Sequence, residues 1–122
     1  GGMKDIKTSV VELIEAVLSN NTSRCLAWAE KQPRDRNSME LIIIELQRIF
    51  RDSMRISVLK GNCYLRDNVI ERRISDKIKG FSNYRDVLMM LEELLHEIRL
   101  NPQFELFWSN LPFAIAEKAG FY

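Results

Sequence analysis

The chain has 122 residues, 46% of them hydrophobic and 29% charged, and a formal net charge of +1 at pH 7. That balance excludes a disordered, collagen-like or disulfide-scaffold chain, and the length fits one domain able to bury a core. No apolar run reaches the roughly 18 to 20 residues of a membrane span, and no basic start leads into an apolar stretch with a cleavage site, so a cytoplasmic protein without membrane contact is expected.

Gly1 and Gly2 stand before Met3, as after removal of a purification tag, so residues 1–2 are read as a scar and 3–122 as a single helical domain excised from a longer chain. From there apolar positions recur at steps of three and four, with no period-2 alternation, which predicts an all-α helical bundle of five to six helices. The first helix runs from about Asp5 to Leu18 on Ile6, Val10, Leu13, Ile14 and Val17, and Asn20-Asn21 ends it. A short second helix, about Ser23 to Gln32, carries Leu26, Ala27 and Trp28 and stops at Pro33.

The third helix begins at Asn37, with Glu40 placed as in a capping box, and ends at Gly61-Asn62. Met39, Ile42, Ile43, Leu46, Ile49, Phe50 and Met54 form its inward stripe. Leu41 and Ile44 widen that stripe, which predicts a helix buried on more than one side in the middle of the bundle. The remaining face, Glu45, Arg48, Asp52 and Arg55, is an ion-pair ladder expected to be solvated.

A fourth helix spans Asn68 to Lys79 on Val69, Ile70, Ile74 and Ile78, with Gly80 as its stop. The fifth spans Asn83 to Leu100 on Tyr84, Val87, Leu88, Leu91, Leu94, Leu95 and Ile98. Asn101-Pro102 is a strong start signal for a sixth, whose apolar side is Phe104, Phe107, Trp108 and Leu111. Pro112 is expected to break or kink it. Among these, Ile42, Leu46, Ile49, Phe50, Leu88, Leu91, Leu95 and Trp108 are the expected core.

Chemistry-bearing motifs are absent. No phosphate loop, GxGxxG or HExxH occurs, so no catalytic residue, cofactor or metal ligand is assigned. Cys25 and Cys63 are far apart and read as small buried hydrophobes. His96, the only histidine, sits at the edge of an apolar stripe, and Glu92, Glu93 and Glu97 read as a solvated helix face. The charge is nonetheless uneven. From Arg48 to Arg85 basic residues outnumber acids, whereas Asp86 to Glu117 holds six acids against Arg99 alone. Either two helices complement each other inside the bundle, or Arg66, Arg72, Arg73, Lys77 and Lys79 touch nucleic acid. A small-ligand-binding regulator or enzyme, with a pocket near Trp28 or Trp108 and His96 as its polar group, is a further alternative.

Three segments together, "VVELIEAVLSNNTSRCLAWAEKQ" (10–32), "LIIIELQRIFRDSMRISVLKG" (41–61) and "LLHEIRLNPQFELFWSNLP" (94–112), resemble the C-terminal collar domain of bacterial DNA polymerase III clamp-loader subunits. Delta prime is the nearest subunit and gamma/tau the next. The order and spacing agree from about Thr8 onward, including Arg51-Asp52 on the apolar helix and Asn101-Pro102 before the last one. Pro112, Ser53 and Ser57 depart from the pattern. The "SRC" of Thr22 to Cys25 matches a string used at the ATP interface of clamp loaders, but there it belongs to an ATPase-like domain. The resemblance implies an assembly domain in DNA replication that makes and breaks no bond, in a protein of the polymerase holoenzyme. Its partners would be gamma/tau and delta collars, with DNA and the sliding clamp reached only through N-terminal AAA+-like domains. On that reading the interface candidates are Phe104, Trp108, Phe121 and Tyr122, with Arg51 and Arg55 as a charged rim.

Overall fold

A computed structural model describes the backbone of residues 3–59, 69–100 and 104–121 and the side chains of 5–58, 69–100 and 107–121. Among the described residues there are six helices and no strand: α1 (Met3–Leu18), α2 (Thr22–Glu30), α3 (Arg36–Leu59), α4 (Val69–Lys77), α5 (Phe81–Leu100) and α6 (Phe104–Ala119). The expected all-α bundle is therefore the observed one. The proposed signals at Gly61-Asn62, Asn68 and Asn101-Pro102, and Cys63, lie outside the described residues.

Local chemistry explains the boundaries. Asn20 takes a left-handed backbone, φ 54°, a conformation asparagine tolerates better than most residues. Its own amide and that of Asn21 then reach back to the carbonyls of Val17 and Ala16. Asn21 next caps α2, its side-chain oxygen accepting from the Arg24 N–H at 3.1 Å. Asp35, rather than the expected Asn37, caps α3: its carboxylate accepts from the Ser38 N–H at 2.8 Å and the Ser38 hydroxyl at 2.9 Å. Glu40, released from the capping role, accepts from Arg99 Nε of α5 at 2.6 Å.

α3 lies centrally, against α1, α4 and α5, while α6 closes the other side against α1, α2 and α5. Gln47 meets Glu92 and Glu40 meets Arg99, so α3 and α5 run antiparallel. Every expected core residue is buried except Leu88, which is half-buried and packed against the core. Ser53 is fully buried too, its hydroxyl donating to the Ile49 carbonyl at 2.7 Å. The small side chain leaves room for Tyr84, whose hydroxyl donates to the Ser53 carbonyl at 3.4 Å.

Two expectations about helix shape are corrected. α6 continues through Pro112 as one helix, so the break considered for it does not occur. Pro112 is itself buried beside Trp108, Leu111, Ile115 and Ala116, and packing on this scale offsets the lost hydrogen bond. Nor are Leu41 and Ile44 a second buried side of α3, since they are 39% and 43% exposed. The end of α6 is fixed by Gly120 at φ 76°, which lets the Phe121 N–H return to the Ala116 carbonyl at 2.9 Å. Asn83 of α5 covers the same end, its amide donating to the carbonyls of Lys118 and Ala119 at 3.4 and 3.2 Å. Among the described residues no helix is long and apolar enough to cross a membrane.

Candidate docking surface

Of the four aromatic side chains expected to meet partners, the two described are a buried Trp108 and a half-buried Phe121. Trp108 is 2% exposed, stands edge-on to Trp28 and Phe107, and donates its indole N–H to the Pro33 carbonyl at 2.9 Å. Phe121 is half-buried and packed against the core. Both are drawn inward because α6 must cover α1 and α2. The side chains of Phe104 and Tyr122 lie outside the described residues.

The open surface is on α3. Asn37, Leu41, Ile44, Arg48, Arg51, Arg55 and Val58 recur at steps of four and three and are all exposed. They make one outward stripe opposite the buried one. It is apolar at its start, with Leu41 and Ile44, arginine-rich in its middle, and apolar again at Val58. Arg51 and Arg55, the expected rim, are thus central to it. α5 flanks the stripe through Gln47 and Glu92, and α4 flanks it through a group of charges.

That flank departs from the solvated ladder expected of it. Glu45 is 4% exposed, and both of its oxygens accept from Arg48, the shortest bond being 2.6 Å from Nη2. Arg48 also reaches Asp52 through Nη1 at 2.9 Å, and Arg55 stands 3.4 Å from the same carboxylate. Glu71 of α4 is buried as well. Loss of hydration raises its pKa above the ordinary glutamate value, and the nearby Arg48 charge opposes that rise. Arg48 is held in its charged form chiefly by its hydrogen bonds to Glu45. The ion pairs of this group lie within α3, with Glu71 of α4 buried near Arg48, and Arg51 has no ion pair to any described residue.

The remaining candidates separate. Cys25 is buried, and desolvation pushes its thiol pKa up, which makes it a poor nucleophile. The string opens α2 with Ser23 and Arg24 exposed and Cys25 turned into the core. His96 is exposed on α5, whereas Trp28 and Trp108 are buried. Trp28 and Trp108 both spend their N–H donors on backbone carbonyls, at Ser9 and Pro33. Arg72, Arg73, Lys77, Lys79 and Arg85 are exposed along α4 and the start of α5, with Arg73 3.5 Å from Glu15. Arg66 lies outside the described residues. Among the described residues no three His, Cys, Asp or Glu side chains are placed to hold a metal.

Leu41 and Ile44 are the residues whose surface role sequence reasoning missed. Their signal was present, because they share the spacing of Arg48, Arg51, Arg55 and Val58, but apolar character was read as burial. No family model, curated protein or solved structure matches the chain.

Proposed function

We propose that the chain is a subunit-assembly domain, and that it is the collar of a bacterial DNA polymerase III clamp-loader subunit, nearest to delta prime. The observation that carries the assembly reading is the outward stripe of α3, where half-exposed Leu41 and Ile44 adjoin Arg51 and Arg55. Apolar side chains beside arginines are the composition of an interface centre. The collar identity is supported by the order and spacing of the three segments quoted above, and the six-helix bundle is compatible with it. On this reading the domain works by binding alone, and its neighbours are the gamma/tau and delta collars.

The test is to mix the chain with gamma/tau and delta collar regions of the same organism. Complex formation is expected, with at least a 10-fold loss of affinity in Arg51→Glu/Arg55→Glu and an almost unchanged melting temperature. No association at high micromolar concentration would end the collar reading. A second reading rests on Lys77, Lys79 and Arg85, which are exposed and ion-paired to no described residue. DNA affinity that falls steeply with salt and is lost in Lys77→Glu/Lys79→Glu would favour it.

A further inference from the structure

We propose that the outward face of α5 receives the α3 stripe of a second copy of this chain, so that copies associate head to tail. The inference rests on the α3 stripe being a docking face and adds a second face and its occupant. On α5, Ser82, Asp86, Met89, Glu93, Glu97 and Leu100 recur at steps of three and four and are all exposed, Met89 by 51% and Leu100 by 73%. Among the described elements only α3 and α6 pack on α5, and neither covers this side. Asp86, Glu93 and Glu97 form no ion pair with any described residue.

The two faces are complementary in charge and in layout. One offers three carboxylates, ion-paired to no described residue, beside Met89 and Leu100. The other offers Arg51, ion-paired to no described residue, and loosely paired Arg55 between Leu41-Ile44 and Val58. Residues 41 to 58 and 82 to 100 each cover about 25 Å of helix. Pairing like with like would set arginine against arginine or carboxylate against carboxylate, which complementarity disfavours. The contact joins different patches, and in the head-to-tail arrangement proposed each added copy leaves one face of each kind open.

Sedimentation equilibrium of the whole chain in low salt tests this. The weight-average mass should rise above the monomer value as concentration approaches roughly 1 mM, and added salt should reverse the rise. Arg51→Glu/Arg55→Glu and Glu93→Gln/Glu97→Gln should each weaken association at least 10-fold while the helical circular-dichroism signal is kept. Mixed in equal amounts, the two variants retain one intact pair of faces, so they should form a dimer that grows no further. A wild-type chain monomeric throughout, or association that survives either double substitution, overturns the proposal. Glu93→Gln/Glu97→Gln distinguishes this proposal from the collar reading, because it loses self-association while its α3 stripe still binds a heterologous neighbour.

Discussion

The indole of Trp108 stands edge-on to that of Trp28, with 5.5 Å between ring centroids and 81° between planes. The pair joins α6 to α2, and each N–H is spent on a carbonyl of the segment beside the other helix, Ser9 on α1 and Pro33 after α2. Trp108→Ala should therefore cost roughly 3 to 5 kcal/mol in chemical denaturation, as large aromatic truncations in a core do. A cost under about 1 kcal/mol would place the ring at a surface.

Leu46 and Leu41 test the two sides of α3. Leu46 is fully buried, so Leu46→Ala should lose about 2 to 5 kcal/mol. Leu41→Ala should stay within about 1 kcal/mol, because much of that side chain is already in water. Equal losses at both positions would remove the outward stripe.

Tyr84 gives an alkaline signature. Burial pushes its phenol pKa up to about 12 from 10.0. The folded state then holds a proton that the unfolded state has released, so stability is full below about 10 and falls as pH rises toward about 12. Tyr84→Phe should flatten that part of the stability curve. A parallel decline in both proteins would mean the hydroxyl is hydrated in the fold.

Glu71 behaves similarly at acidic pH. Its pKa is raised by burial, so its contribution is greatest below the ordinary glutamate pKa of 4.5 and is lost as pH rises through the raised value. Glu71→Gln should gain melting temperature over wild type near pH 7, and the gain should shrink toward pH 4. Thermal melts at the two pH values check this. A gain independent of pH would point to packing alone.

Gly120 carries the end of α6. A Cβ there would lie 2.9 Å from Asn83 Nδ2, on a backbone at φ +76° that L side chains rarely adopt. Gly120→Ala should cost about 1 to 2 kcal/mol from the backbone alone. Asn83→Ala should cost less, about 0.5 to 1.5 kcal/mol, since the carbonyls it covers are near solvent. Equal stability of Gly120→Ala and wild type would mean that the end rearranges freely.

The bundle itself was legible because three- and four-residue spacing of Val10, Leu13 and Val17, or of Val87, Leu91, Leu95 and Ile98, has one interpretation at this length. The choice of Asp35 over Asn37 as cap was not, since both are good caps and only the backbone geometry decides between them. Periodicity also cannot say how many faces of a helix are covered. Leu41 and Ile44 look like core until the neighbours of α3 are known, and Trp108 fits both core and interface until α2 is seen behind it. Ser53 read as a departure from pattern because its partner, Tyr84, is 31 residues away.

The way the helices share neighbours bears on the order in which they form. α3, α4 and α5 are consecutive, and α4 and α5 each pack on α3, whereas α6 packs on α1 and α2 from the far end of the sequence. Closing the longer loop costs more chain entropy before any contact offsets it. The α3–α5 unit is thus expected to gain amide protection first in pulsed hydrogen exchange. The tryptophan contact between α2 and α6 should come last, and should also be the first to open under mild denaturant. Tryptophan fluorescence would then follow the final docking step, while helical ellipticity would follow an earlier one.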